Sequence, residues 1–305
     1  MLSTTKQPSA TMPSEKTLSS RIMPVPRAGR VLVFDSGMGG LTVAREIMAR
    51  APGIAVDYAA DTGFFPYGDK SDEALRARLP DVAERLVARA RPDVFVIACN
   101  TASTLALEEV RARLSIPVVG TVPAIKPAAA LSHTGTIGLL ATPGTIRRQY
   151  TADLIRDFAR NMSVILHGSI ELVRLAEAHA AGEPYDAGGF ADAQQPLFDA
   201  EGGDEIDTIV LACTHFPLVR DQLAASAPRP VRYIDSGEAI ARQTLRVLSR
   251  QIEMRPLETG TGGRVFLTAD PGESARLVKV CARFGFPDAV AVDDRSGEES
   301  MTARI

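Results

Sequence analysis

Two of the three cysteines in the chain sit in matching surroundings. Cys99 lies in DVFVIACNTASTLAL (residues 93–107) and Cys213 in DTIVLACTHF (residues 207–216), so both fit D-x-x-V-[IL]-A-C-[NT]-[TH]. Each thiol follows a short apolar run of the kind that fills a buried parallel strand. After Cys99 come Asn100 and Thr101, whose side-chain oxygens suit the start of a helix. A thiol there faces free helix-end N–H groups, which favour the thiolate and lower its pKa. The carboxyl ends of strands in open α/β sheets are also where ligands bind. The doubling predicts a two-sided site with one thiol on each face.

Three chemistries use such thiols. A cysteine hydrolase needs one thiol and a base, and has no use for a twin. A dithiol oxidoreductase needs sulfurs that can bond, usually within CxxC, whereas these cysteines each end their own strand. Proton transfer uses both. One thiolate removes a proton from a carbon and the opposite thiol returns one from the other face, each direction needing the two cysteines in opposite protonation states.

The elements that position the thiols read as a continuous alternation of strands and helices. Residues 30–34 (RVLVF) form a strand that enters Asp35-Ser36-Gly37-Met38-Gly39-Gly40 and a helix over 41–50. This loop has neither GxGxxG spacing nor a Walker Lys, so its glycines are expected to let backbone N–H groups approach a small anion, with Asp35 aimed into the site. A second strand, 54–60, ends in the turn-rich loop 61–69, where Tyr67 either packs the loop down or covers a ligand. The charged amphipathic helix 71–91 reads as a solvated face. A strand at 116–121 precedes Val122-Pro123 and a crossing into a second domain. Further strands fall at 135–141, 162–167 and 230–234, and helices at 145–160, 169–181, 190–201, 217–225 and 238–251. A last β-α-β unit spans 265–292. The fold class is α/β: two pseudo-symmetric lobes with mainly parallel sheets and the active site in the cleft between them. The expected division is 1–29 as a disordered extension, 30–122 plus 232–295 as lobe 1, 123–231 as lobe 2, and 296–305 as a polar tail.

Composition sets the outer limits. The 305 residues are 45% hydrophobic and 23% charged with a net charge of −3, which argues against a dominant nucleic-acid or membrane surface. No apolar run approaches the roughly 18 residues of a membrane span. Three cysteines without a CxxC pair fit a reducing cytoplasm and neither a disulfide framework nor structural zinc. Cys281, in ESARLVKVCARF, reads as a packed, inert thiol. His133 and His179 fall near helix ends and read as surface groups or caps. Residues 1–28 are rich in Ser, Thr and Pro and lack a secretory h-region.

The ordered segments VFDSGMGGLTV, ADTGFFPYGDKS, VIACNTAST, GTVPAIKPA, VLACTHFPL and IDSGEAIA together resemble the glutamate racemase family of the aspartate/glutamate racemase superfamily. The Thr-His after the second cysteine resembles the glutamate branch. The resemblance covers residues 31–251 and implies cofactor-independent racemisation of L- and D-glutamate, supplying D-glutamate for peptidoglycan, with no metal, no nucleic acid and no membrane required. It implies Cys99 and Cys213 as the acid/base thiols, assisted by Asp35 and His215. It implies substrate binding by Asp35, Ser36, Tyr67, Gly68, Asn100, Thr101, Thr142, Thr214 and His215. Residues 171–177 read Glu-x-x-x-Leu-Ala-Glu, as in the branch with N-terminal extensions, some of whose members need a cell-wall precursor as activator. The resemblance leaves open such an activator and a homodimer here. Two other readings stand beside it: a racemase of a related substrate such as aspartate, and a non-catalytic, two-lobed small-anion binding regulator.

Overall fold

A computed structural model describes residues 28–251, 263–270, 272, 274–292 and the backbone of 302–304. The expected N-terminal extension, apart from residues 28 and 29, lies outside the described residues. The strands are β1 (Arg30–Asp35), β2 (Ala55–Ala60), β3 (Val94–Ile97), β4 (Val118–Gly120), β5 (Thr136–Ala141), β6 (Ser163–Gly168), β7 (Thr208–Leu211), β8 (Arg232–Ile234), β9 (Arg264–Leu267), β10 (Asp288–Ala291) and β11 (Thr302–Arg304). The helices are α1 (Leu41–Arg50), α2 (Asp72–Ala90), α3 (Asn100–Arg113), α4 (Ile125–Leu131), α5 (Pro143–Arg147), α6 (Gln149–Phe158), α7 (Glu171–Ala181), α8 (Gly189–Asp199), α9 (Arg220–Ser226), α10 (Gly237–Gln251) and α11 (Ala275–Arg283).

Two sheets result. The larger has the order β11-β10-β9-β2-β1-β3-β4 and the smaller β6-β5-β7-β8. Every pairing is parallel except β10 with β11. Strands buried on both faces need apolar residues at every position, and side chains alternate between faces. In β1, Val31 and Val33 enter the core shared with α1, α10 and α11, while Leu32 and Phe34 enter the one shared with α2 and α3. In the smaller sheet, Ile209 and Leu211 of β7 face α7, α8 and α9, and Val210 faces the core of α4 and α6.

Four local expectations are corrected. The helix expected over 145–160 breaks at Arg148, whose backbone is extended (φ −80°, ψ 140°), leaving α5 and α6. After Cys213 the chain makes a 3-10 turn at Phe216–Val219, with Pro217 inside it, before α9 begins. Residues 232–234 form β8, which pairs with β7 in the smaller sheet, so the return to the larger sheet comes after residue 234. The tail expected at 296–305 contributes the edge strand β11.

Candidate active site

Both thiol turns bring their sulfurs to one place. Ser36, Tyr67, Gly68, Cys99, Asn100, Thr101, Thr142, Cys213, Thr214 and His215 line a single cavity, joined by Phe65, Pro66, Ile170 and Val173. Loops after β1, β2 and β3 form one side, and loops after β5, β6 and β7 the other. The cavity is about 20 Å³, room for about one water molecule. The cleft expected between the lobes is therefore closed in this arrangement.

On one side, Cys99 stands at the N-cap of α3. Its Sγ lies 3.9 Å from Ser36 Oγ. Burial pushes this thiol up to about 12, and the charge of Asp35 adds to the rise; the Ala102 N–H and the Ser36 hydroxyl pull the other way. The lowered pKa expected at a helix start is thus reversed, because desolvation outweighs the helix-end N–H groups. On the other side, Cys213 Sγ lies 3.8 Å from His215 Nδ1. His215 Nε2 in turn lies 3.1 Å from Glu177 Oε1. Burial alone would lower the histidine pKa, but its partners Cys213 and Glu177 lift it well above the ordinary value. All three cysteines are free thiols. Cys281 is fully buried, as expected, with its pKa raised by burial to about 12.

Three expected site elements make their contacts within the protein. Asp35 is buried behind the wall rather than on it. Its Oδ1 accepts from the Gly37 N–H (2.9 Å) and its Oδ2 from the Thr214 hydroxyl (2.8 Å), so each oxygen has a partner within the protein. The glycine loop packs against the facing half. A Cβ on Gly39 would stand 2.6 Å from His215 Nδ1 and 2.7 Å from the His215 backbone nitrogen, so Gly39 is a point of close approach between the two halves. The phenol of Tyr67 does not cover the cavity with its hydroxyl, which donates to Asp61 instead. Asp61 is fully buried and also accepts from Arg78 Nε and Nη2, at 2.7 Å each, and from the Thr268 hydroxyl.

The remaining polar groups lie on the cavity wall. Thr142 is the N-cap of α5, accepting from the Thr145 N–H. Its hydroxyl meets that of Thr101 at 3.2 Å across the cleft. Asn100 Oδ1 is buried without a hydrogen-bond partner, an acceptor that an ammonium group would satisfy. His133 lies in the loop after α4, where its backbone N–H donates to Asp207, and His179 Nδ1 lies 2.9 Å from the Tyr185 hydroxyl; neither reaches the cavity. Among the described residues no three His, Cys, Asp or Glu side chains gather to hold a metal, and no helix is long and apolar enough to cross a membrane.

Sequence reasoning missed Glu177, Asp61 and Arg148. Glu177 lies on the buried face of α7 among Leu172, Val173, Leu175 and Ala176. An acid at a core position of an apolar stripe was the available signal, because a buried carboxylate needs a partner.

Comparison with known proteins places this geometry. The profile of the Asp/Glu/Hydantoin racemase family matches residues 42–244, from α1 through both thiol turns into α10. The chain belongs to that family. It is 44% identical to the glutamate racemase of Vibrio cholerae over 268 residues, covering 87% of this chain and 96% of that protein. It is 50% identical to the glutamate racemase of Sphingopyxis alaskensis over 221 residues, 72% of this chain and 82% of that one. The crystal structure of Escherichia coli glutamate racemase in complex with L-glutamate and the activator UDP-MurNAc-ala superposes with a TM-score of 0.81 at 38% identity, covering 88% of this chain and 99% of that one. Family membership makes the protein an amino-acid racemase, an isomerase.

Proposed function

We propose that the substrate is glutamate and that Cys99 and Cys213 racemise it at the α carbon as opposed acid and base. The observation that carries this reading is that both thiols, free and borne on different sheets, line one cavity. In one direction Cys213 Sγ takes the α proton while the Cys99 thiol donates its own to the opposite face; the reverse direction exchanges the roles. The carbon loses one proton and gains one, so nothing is oxidised and no group leaves. His215 Nδ1, 3.8 Å from Cys213 Sγ, receives or returns the proton of that thiol, with Glu177 steadying the imidazolium. Asn100 Oδ1 accepts from the substrate ammonium. The hydroxyls of Thr101 and Thr142 and the N–H groups at the start of α3 receive carboxylates. The donors that hold the α-carboxylate also stabilise charge developing as the α carbon loses its proton.

D-glutamate for peptidoglycan, made in the cytoplasm, is the purpose this chemistry serves. The complex of the Escherichia coli relative with UDP-MurNAc-ala supports a cell-wall precursor as an activator of this chain as well. Assembly as a homodimer belongs to the same proposal and is read by light scattering on the eluted protein. The test of the substrate is circular dichroism of L-glutamate, D-glutamate and aspartate incubated in parallel, with and without UDP-MurNAc-ala, after dialysis against a chelator. Decay of both glutamate signals to zero is expected. Decay of aspartate alone, or of glutamate only after a metal or pyridoxal phosphate is restored, overturns the reading.

A further inference from the structure

Arg148 is the residue at which the expected helix breaks, and it spends its guanidinium on the other half of the molecule. The side chain is only 8% exposed. Nη1 donates to the Thr101 carbonyl at 2.6 Å and to the Thr104 hydroxyl at 3.0 Å. Nη2 donates to Asp72 Oδ1 at 2.9 Å. Arg148 stands between α5 and α6 on the smaller sheet, whereas Asp72 opens α2 and Thr101 and Thr104 open α3 on the larger one. Its own carbonyl accepts from the Thr151 N–H and so starts α6. One residue therefore ties two helix starts on one lobe to a third on the other.

The helix it grips is not continuous. Ala106 breaks α3 with φ −130° and ψ 18°. The segment from Cys99 to Leu105 is thus a short piece, set off from the rest of α3 by the break. Thr104 bonds back to the Asn100 carbonyl at 2.8 Å, and Arg148 binds both Thr104 and the Thr101 carbonyl. The turn that carries Cys99 is consequently fixed by a charge from the facing lobe. Entry of any amino acid requires the halves to part, because the cavity is about 20 Å³. Parting removes the guanidinium from Thr101, Thr104 and Asp72 together.

We propose that Arg148 is a positioning residue that couples closure of the lobes to presentation of Cys99. Closed, the guanidinium completes the first turn of α3 and sets the thiol against the substrate. Open, that turn loses its cross-lobe anchor and the thiol its aim. The latch stands on the hydrogen bonds alone; its catalytic consequence rests on the two-thiol reading above.

The test labels the thiols of the full chain with iodoacetamide and reads each cysteine by mass spectrometry. Cys281 is the internal control, since it reacts only when the core loosens. Loss of a bond to a charged group shifts populations by roughly ten- to hundredfold. Arg148→Ala is therefore expected to speed labelling of Cys99 at least about tenfold while Cys281 keeps its rate. Arg148→Lys should fall between, because one ammonium cannot reproduce the fork that reaches Thr101 and Asp72. Asp72→Asn touches only an exposed carboxylate and should give the smallest rise. In turnover, the primary deuterium isotope effect should grow in the direction in which Cys99 takes the proton, with kcat falling more than KM changes. A mere loss of folded enzyme would lower apparent kcat but leave the isotope effect unchanged. The proposal fails if Cys99 and Cys281 speed up in parallel, or if Cys99 labels at the wild-type rate in both Arg148→Lys and Asp72→Asn. A selective rise at Cys99 in a protein that does not racemise glutamate upholds the latch and sinks the two-thiol chemistry.

Discussion

The two thiol turns begin alike and end differently. Through Asp, the strand and Ala-Cys, the segments at Cys99 and Cys213 match residue for residue in type except at Val94 and Thr208. That shared portion builds β3 and β7 and delivers each sulfur to the cleft. The next residues separate them. Asn100 and Thr101 start a helix, and the sulfur is left with a serine hydroxyl, a backbone N–H and a nearby carboxylate. Thr214 and His215 enter a 3-10 turn, which folds the imidazole back to 3.8 Å from Cys213 Sγ. One thiol is thereby held protonated and the other has a titrating partner backed by Glu177. The repeat supplies position, and the departure from the repeat supplies proton chemistry. On the two-thiol reading the resting site is already uneven, with Cys99 poised as acid and the Cys213–His215 pair as base.

The largest expected effect comes from removing either sulfur. Cys99→Ala and Cys213→Ala should each lower racemisation by about 10²–10⁴-fold. Each variant should still abstract a proton from the enantiomer facing its remaining thiol. Elimination from both enantiomers of a β-substituted glutamate analogue checks this: opposite preferences are expected, and a shared preference breaks the opposed arrangement.

A smaller effect should follow from Glu177→Gln. It removes a cause of the raised His215 pKa, so the imidazolium should lose its proton at a lower pH. The alkaline limb of the rate profile should move to lower pH, with kcat down about tenfold for one charged hydrogen bond. The direction starting at Cys213 should show the larger isotope effect. An unmoved alkaline limb would separate His215 from the reaction.

Gly39→Ala tests the contact between the halves. Its methyl would meet the His215 backbone nitrogen at 2.7 Å, so the lobes must shift. A several-fold loss of kcat is expected, because misplacing reacting groups by about 1 Å can cost as much as 10²-fold. Gly144→Ala is the control, since its new Cβ meets nothing closer than 3.7 Å. Equal losses in the two variants would deny Gly39 its role.

The smallest effect is in stability against pH. Burial raises the Cys99 pKa from 9.0 to about 12. The folded state keeps the proton that the unfolded chain releases, so this contribution is whole below about pH 9 and fades as pH rises toward about 12. Cys99→Ala should make melting temperature fall less steeply between about pH 8 and pH 11. Cys281→Ala should do the same, since that thiol is also raised to about 12. A steeper fall in either variant would reverse the sign.

Much of this was legible because it is periodic or local. Apolar runs at β1, β3, β5 and β7 announce strands buried on both faces, and Thr142-Pro143 announces a helix start. Cys99, Cys213, Asn100, Thr101, Thr214 and His215 were legible as neighbours on those elements. What failed to show were contacts between residues remote in the chain. Arg148 reads as an ordinary helical residue until its acceptors, some 44 to 76 positions away, are known. Asp35 reads as a site group because nothing local reveals that Thr214, 179 positions away, already engages it; for Tyr67 the sequence leaves two readings open, and only the fold turns its hydroxyl to Asp61 within the same loop. The glycine loop shows the same limit: its open backbone does not announce that Gly39 packs against His215.

Asp61 carries a consequence for how the chain comes into being. It fastens the loop bearing Tyr67 and Gly68 to Thr268, and the Thr62 hydroxyl accepts from the Ala269 N–H beside it. Neither Thr268 nor Ala269 faces the cavity, yet both lie more than fifty residues after Cys213. During synthesis from the first residue to the last, the ribosome releases every residue of the cavity wall before it releases the clasp for one side of that wall. A nascent chain, or one trimmed by a protease before β9, would hold the full set of reactive groups with one wall unfastened. The competent enzyme is in this sense finished by a segment that touches none of its chemistry.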